Sequence, residues 1–386
     1  VSPAVRIGAV GFGLIAVCYG FARFAFGLFL PSIDDDLGLG PTLSGMISGG
    51  AFAGYCAAIV ASAALTERIG AKAVAVSAAL VAGLGMVGIA LAPTPVILAA
   101  AVIVAGLSTG LASPPMAAAV AAGVRPVRQD GTNTVINAGT SAGVALSGPV
   151  ALGMAGQWRL AFAAFAAVAA ILALAAAISL PAARGSGKPA GLPPLNTPML
   201  RLITAAFLMG AASTAWWTFG GQLVSERLGW DVTGLGFLWI CVGTGGIAGA
   251  WAGKLVARFG LNFVHCIFLV LMAVSILILD STLATPTLVL IGGAVFGGAY
   301  VMLTGVYLIW GLRVLHDRPA TGLMIGFLTI AVGQTAGAPV FGLLLTSFGA
   351  GPAVLVFATF TLLAGLFRAG CAASPHAAHE NQPNRL

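Results

Sequence analysis

Charge is scarce in this sequence. Only 7% of its 386 residues are Asp, Glu, Lys or Arg, against 59% hydrophobic residues and a mean hydropathy of +1.05. Such a composition cannot clothe a water-facing surface, which excludes an ordinary soluble domain. Acid is scarcer than base, with 10 Asp and Glu beside 17 Lys and Arg, and every acid lies at or beyond the end of an apolar stretch. The intramembrane carboxylate on which proton relays commonly depend is therefore missing. Four of the five cysteines, Cys18, Cys56, Cys241 and Cys266, are scattered through apolar stretches without close spacing. That excludes a disulfide framework and a thiolate metal site, and leaves packing as their role. No cofactor or metal is expected. No cleavable leader is expected: the first apolar run is too long, and Pro31 and Asp34 do not make a small-residue cleavage site.

What is abundant is membrane-length hydrophobic sequence. A spanning helix needs ~20 mostly apolar residues. Charges, prolines and glycines divide the chain into about twelve such stretches, near residues 6–30, 41–65, 73–92, 96–123, 131–155, 159–181, 199–224, 232–256, 261–281, 287–315, 319–347 and 352–370. Basic residues near helix ends mark the cytoplasmic side. With the N-terminus inside, that side holds fourteen of the seventeen, namely Arg6, Arg68, Lys72, Arg125, Arg128, Arg184, Lys188, Arg201, Lys254, Arg258, Arg313, Arg318, Arg368 and Arg385. The other side keeps Arg159 and Arg227, and Arg23 lies within the bilayer. Both termini are expected to be cytoplasmic, in a plasma or inner membrane. The formal charge of +7 is this bias spread over many loops rather than one basic patch, so no nucleic-acid partner is expected.

The chain also repeats itself. Leu65, Arg68 and Gly70 recur as Leu255, Arg258 and Gly260, Arg128 recurs as Arg318, and Gly143, Pro149 and Val150 recur as Gly333, Pro339 and Val340, each pair 190 residues apart. One offset shared by three segments maps spans one to six onto seven to twelve. Between the halves Pro181 to Pro198 is rich in proline, glycine and small residues, the composition of a linker. The expected organisation is a bundle over 1–181, a linker over 182–198, a second bundle over 199–370 and a tail over 371–386. Parallel repeats hinged in this way suit alternating access.

At this point the chain resembles the major facilitator superfamily. Ala63-Ala64-Leu65-Thr66-Glu67-Arg68-Ile69-Gly70-Ala71-Lys72 is similar to that family's loop between spans two and three, roughly G-x-L-a-D-R-x-G-R-K, with Ala63 for the first glycine, Glu67 for the acid and Ala71 at a basic position. The second copy, Gly253 to Gly260, keeps both glycines and Arg258 but has Ala257 for the acid. Tyr19 to Phe26 followed by Leu30-Pro31 resembles the first span of the YbfB/YjiJ-like group. The resemblance implies an all-α fold of twelve transmembrane helices in two pseudo-symmetric six-helix bundles, a monomer in the lipid bilayer, and carriage of a small solute rather than enzyme chemistry. It also implies that Glu67 and Arg68 belong to a gate in which the acid pairs with the other half and a helix N-terminus; Arg125 or Arg128, with Arg258 in the second copy, would complete it. There are departures. Val102 stands four residues before Gly106, where the family's fourth span often carries arginine, and the Gly139, Gly143, Gly148-Pro149 spacing does not fit the drug-antiporter motif.

The candidate chemistry centres on Arg23, seven residues before Leu30 and roughly 10 Å below the outer boundary at 1.5 Å per residue. An arginine at that depth costs at least ~2.5 kcal/mol on insertion scales unless it faces a cavity or a partner. Tyr19, four residues earlier, would share its face, and a guanidinium beside a phenol suits a two-pronged grip on a carboxylate or other oxyanion. The alternative is that Arg23 snorkels outward to Asp34, Asp35 and Asp36. Its equivalent in the second half is Ser213, so charge recognition is one-sided. Tyr300, Thr304 and Tyr307 follow i, i+4, i+7 spacing on one face of span ten, and span seven offers Ser213, Trp216, Trp217 and Gln222; of the adjacent tryptophans at most one can face a central cavity. These groups either contact solute or pack helices. Asn133, Asn137 and Ser141 share a face of span five, for which hydrogen bonding between helices is the default expectation.

A small, anionic solute is the leading expectation. A proton or counter-anion is the candidate coupled species, and facilitated diffusion, anion exchange and symport all survive because no intramembrane acid selects among them. An efflux carrier of a neutral or amphipathic molecule, with Arg23 as a structural or gating group, is the alternative. Cationic drug efflux would want a buried carboxylate. A membrane enzyme would want converging nucleophile and base, whereas His316 and Asp317 stand alone in a loop and His376 and His379 lie in a polar tail. A receptor or scaffold would carry a sizeable soluble part.

Overall fold

The computed structural model describes residues 2–154, 156–182 and 195–370. The expected linker falls mostly, and the tail wholly, outside the described residues, as do Arg184, Lys188, Arg385, His376 and His379. The described residues form twelve helices and no strand: α1 Pro3–Leu37, α2 Gly40–Ile69, α3 Ala71–Leu91, α4 Pro95–Gly123, α5 Pro126–Gly153, α6 Trp158–Ser179, α7 Thr197–Trp217 with a continuation Gly220–Leu228, α8 Val232–Phe259, α9 Leu261–Ile278, α10 Pro286–Val314, α11 Pro319–Phe348 and α12 Ala350–Ala364. The first eleven are long and apolar enough to cross a membrane.

The helix ends follow from local chemistry. Ser2, Thr94, Asn196 and Thr285 cap α1, α4, α7 and α10 with side-chain oxygens, each followed by a proline in the first turn, where its missing N–H costs nothing. Asp231 caps α8, and the backbone N–H groups of Gly234 and Thr233 hold its carboxyl below the usual carboxylate range. The turns between α2 and α3 and between α8 and α9 each pass through one glycine, Gly70 at φ 89° and ψ 155° and Gly260 at φ 83° and ψ 153°. Only glycine takes that backbone without strain. The identical geometry 190 residues apart gives the sequence repeat its structural meaning.

Three expectations are corrected. Helix α1 does not stop at Leu30: Pro31 is accommodated inside it, and it runs on to Leu37, where left-handed Gly38 closes the end. Span seven breaks after Trp217 and resumes at Gly220 rather than running straight to 224. The twelfth stretch is helical for only 15 residues, 350–364, or about 22 Å. Beyond it the chain tightens into i→i+3 turns at Gly365, Leu366 and Phe367, and the Asn262 amide clamps Ala369 through both its N–H and its C=O at 2.8 and 3.0 Å.

Within the first bundle α2 packs on α4, α3 on α4 and α6, and α1 on α5; the second repeats the pattern with α7 on α11 and α10 on α8 and α9. The bundles meet where α2 crosses α11 and α5 crosses α8. Most helices are apolar on every side, since lipid and helix neighbours are equally apolar, and close approach depends on small residues. Ile7, Gly123 and Pro181 gather at one end, which is therefore the end that carries the N-terminus and is called here the terminal face.

Candidate functional site

The middle of α1 is not an ordinary α-helix. Ala16–Phe24 winds as a π-helix, and all nine of its residues are buried. Such wide turns persist where other groups satisfy the loosened backbone. Here Thr109 Oγ1 donates to Cys18 O at 2.9 Å, and Trp239 Nε1, from the other bundle, donates to Phe24 O at 3.3 Å. The same stretch carries both Tyr19 and Arg23.

Arg23 does not snorkel. It is 7% exposed and points into the centre of the molecule, away from Asp34 to Asp36. Its Cζ lies 4.7 Å from the ring centroids of Phe52 and Tyr55, 4.9 Å from Phe24 and 5.8 Å from Tyr19. These contacts replace part of its lost hydration, at about 0.5–2 kcal/mol for a cation on an aromatic face. Nη2 donates to Gln334 Oε1 of α11, and Nε is buried with no partner. Gln334 in turn donates from Nε2 to Ser213 Oγ at 3.0 Å and to Tyr300 Oη at 3.2 Å. One polar chain thus crosses from the first bundle to the second. The Tyr19 hydroxyl sits 3.0 Å from Ser113 Oγ, and its ring meets Tyr55 edge-on.

A cavity of about 270 Å³ reaches these groups. Its lining includes Tyr19, Arg23, Tyr55, Asn137, Ser141, Tyr300, Thr304, Phe327 and Gln334, and contains no carboxylate. Two wall regions differ in polarity. The first bundle presents Ser113, Thr134, Asn137, Thr140 and Ser141, whereas the second presents Ile247, Val301, Leu308, Phe327 and Ile330 around its few polar groups, Tyr300, Thr304 and Gln334. The lining steps toward the terminal face through Ile15, Thr134 and Leu308. On the opposite side the bundles are shut. Phe24 stacks on Trp217 at 4.0 Å, Ser48 and Thr218 share a hydrogen bond at 2.7 Å, and Gly27 abuts the carbonyl of Trp217 so closely that any side chain would collide with it.

Several candidate residues fall elsewhere than expected. Trp217 is not a wall of the cavity; it forms the roof beyond Arg23, packed on Phe24, Tyr300 and Phe296 with Nε1 unpartnered. Trp216 faces away and donates to Ser275 O at 3.0 Å. Tyr300 and Thr304 line the cavity, but Tyr307 does not. The Tyr307 phenol is taken by buried His265 Nε2 at 2.9 Å and Ala205 O at 3.1 Å. Asn137 and Ser141 open into the cavity instead of bridging helices. At the terminal face Arg68, Arg128 and Arg258 are exposed and Glu67 is half-buried, and none of the four has an ion-pair partner among the described residues. Gln334, Tyr55, Phe52 and Ser113 escaped sequence reasoning. The only signal for Gln334 was a lone amide inside an apolar span.

A twelve-helix bundle pair around a central cavity open at one end is the fold of a membrane transporter. The model of the Major Facilitator Superfamily matches residues 12–331, and the chain belongs to that superfamily. Among solved structures it is similar to the nucleoside transporter NupG (14% identity, 95% of this chain and 98% of that one, TM-score 0.74), to the inward-open xylose transporter XylE from E. coli (15%, 94% and 95%, 0.76) and to an inward-facing bacterial homologue of the human lysosomal transporter Spinster (14%, 95% and 96%, 0.73). No curated protein matches the sequence.

Proposed function

We propose that the chain is an alternating-access carrier of a small organic anion, in which Arg23 binds a carboxylate or similar group. One observation carries this reading: a guanidinium in a lining without carboxylates, holding one hydrogen bond to a neutral amide and keeping a second N–H buried and unpartnered. A buried charge is tolerable only when paired or transiently paired, and an anionic solute would supply the missing partner. Tyr19, Tyr300 and Thr304 stand beside that position, with Trp217 as its roof. The contrasting walls favour a solute with one hydrogen-bonding edge and one apolar face. The basic terminal face supports a cytoplasmic placement of both ends in a plasma or inner membrane, hence an inward-facing state. Glu67, Arg68, Arg128 and Arg258 would then form the gate, apart in this state and brought together in the outward-facing one. The first-span pattern supports kinship with the YbfB/YjiJ-like group, and the protein is read as a monomer.

A second reading has its own support. The Arg23 bond to Gln334 links the two bundles, so Arg23 could act as a strut in a carrier of neutral or amphipathic molecules. Thermal stability of the purified protein with carboxylates, other anions, amines and neutral solutes separates the two, with Arg23→Gln measured alongside. Ligand at 100 times its Kd stabilises by ~2.7 kcal/mol. An anion shift absent from the folded variant supports the first reading. A neutral hit, or an anion hit indifferent to the variant, supports the second.

A further inference from the structure

Gln334 is the one group hydrogen-bonded to Arg23 among the described residues, and it reaches Arg23 from the opposite bundle. Its orientation is dictated by its neighbours. Arg23 has only donors, so it must take the carbonyl oxygen of the amide. Both amide hydrogens are then committed, one toward Ser213 Oγ at 3.0 Å and one toward Tyr300 Oη at 3.2 Å. Held this way, Gln334 has no donor left for an anion, and its free face is an acceptor that an anion would repel. It offers Arg23 what a solute oxygen would offer, and it holds Nη2, which with the free Nε makes one edge for a two-pronged grip on an oxyanion.

We infer that Gln334 is an internal stand-in for the solute: its Oε1 holds Arg23 in the unloaded carrier, and an arriving oxyanion displaces it. This rests on the anion reading of the site. Two consequences follow. The empty protein keeps Nη2 of the buried guanidinium paired, and binding is linked to contact between the bundles, because the bond that the solute breaks is one that joins α1 to α11. Competition also lowers the apparent affinity by the fraction of carrier whose Arg23 is free.

The test uses the full-length purified protein, with benzoate and acetate as probes and thermal unfolding as readout. Gln334→Leu removes the competitor, and the expected result is an apparent Kd for the better probe about tenfold lower than wild type. Gln334→Glu builds a permanent anion beside Arg23. That variant is expected to melt above wild type without ligand and to give no further shift with either probe. Its extra stability should vanish when Arg23→Gln is added, a cycle that needs no ligand. If Gln334→Leu binds the probes equally or more weakly, Gln334 is a co-ligand or a packing group and the inference falls, even with the anion reading intact. If Gln334→Glu still responds to the probes as wild type does, the inference falls as well. If neither probe shifts the wild type or Gln334→Leu, while a neutral solute does, the anion reading itself has failed and takes the inference with it.

Discussion

The two halves of this molecule share a backbone plan and divide its chemistry. Gly70 and Gly260 turn the chain through the same angles, and the roof is made where Gly27 meets Trp217, two positions equivalent by the offset of 190. Polarity does not follow the same symmetry. Asn137 and Ser141 correspond to Phe327 and Ala331, and all four line the cavity. Arg23 corresponds to Ser213, Gln334 to Val144 and Tyr300 to Gly110. Along α5 and α11 the repeat sets which positions reach the cavity, while residue identity makes one side charged and polar and the other largely apolar apart from Tyr300, Thr304 and Gln334.

The comparison breaks most completely at Arg23. Arg23→Gln should reduce uptake of an anionic solute into proteoliposomes by about 10- to 100-fold, as expected for loss of a charged hydrogen bond worth ~1.5–3 kcal/mol. Retained uptake by folded protein would remove the anion reading. Next comes the roof. Gly27→Val places a side chain against the Trp217 carbonyl, and the bundles cannot then close on that side. Reaction of an introduced Ser48→Cys with a polar maleimide should rise, because its present partner Thr218 would be drawn away; unchanged labelling would show that the roof yields. Exchanging the walls should sharpen the contrast. Asn137→Phe is expected to weaken the preferred solute by ~1–2 kcal/mol in thermal-shift titration, the scale of a hydrogen bond lost, whereas Phe327→Asn should relax selectivity toward more polar solutes. Equal effects from the two exchanges would mean that the walls are not distinguished by the solute. Smallest in their effect on transport are the turn glycines. Gly70→Ala and Gly260→Ala should each cost about 1–3 kcal/mol of stability through positive-φ strain, and the two losses should be alike, since both positions adopt nearly one geometry.

Much of the fold was legible because a bilayer imposes length and charge rules on the chain. The apolar stretches are the helices those rules lead one to expect, and the offset of 190 reappears in the matched turns at Gly70 and Gly260. The errors have physical causes. Helical spacing puts Tyr307 with Tyr300, but spacing does not say whether a face meets a cavity or a buried histidine. For Asn137, polar residues spread around α5, among them Thr132, Asn133, Thr134 and Thr140, leave no mark of which stripe meets the cavity and which meets a helix. The extension of α1 to Leu37 was hidden by Pro31, a breaker in water that neighbouring helices tolerate in a membrane protein. The π-helical turn has no local signature; its loosened carbonyls are satisfied by Thr109 and Trp239, which lie 91 and 215 residues away in sequence.

The lone guanidinium also has an electrical meaning. With the anionic solute proposed above, a cavity holding it beside Arg23 is neutral, whereas the same cavity empty carries one positive charge. A full elementary charge crossing 100 mV exchanges ~2.3 kcal/mol with the membrane potential. To the extent that Arg23 moves through the field as the bundles rock, voltage acts on the return of the unloaded carrier and leaves the loaded step untouched, so the resting potential of the cell would bias which way the empty cavity waits.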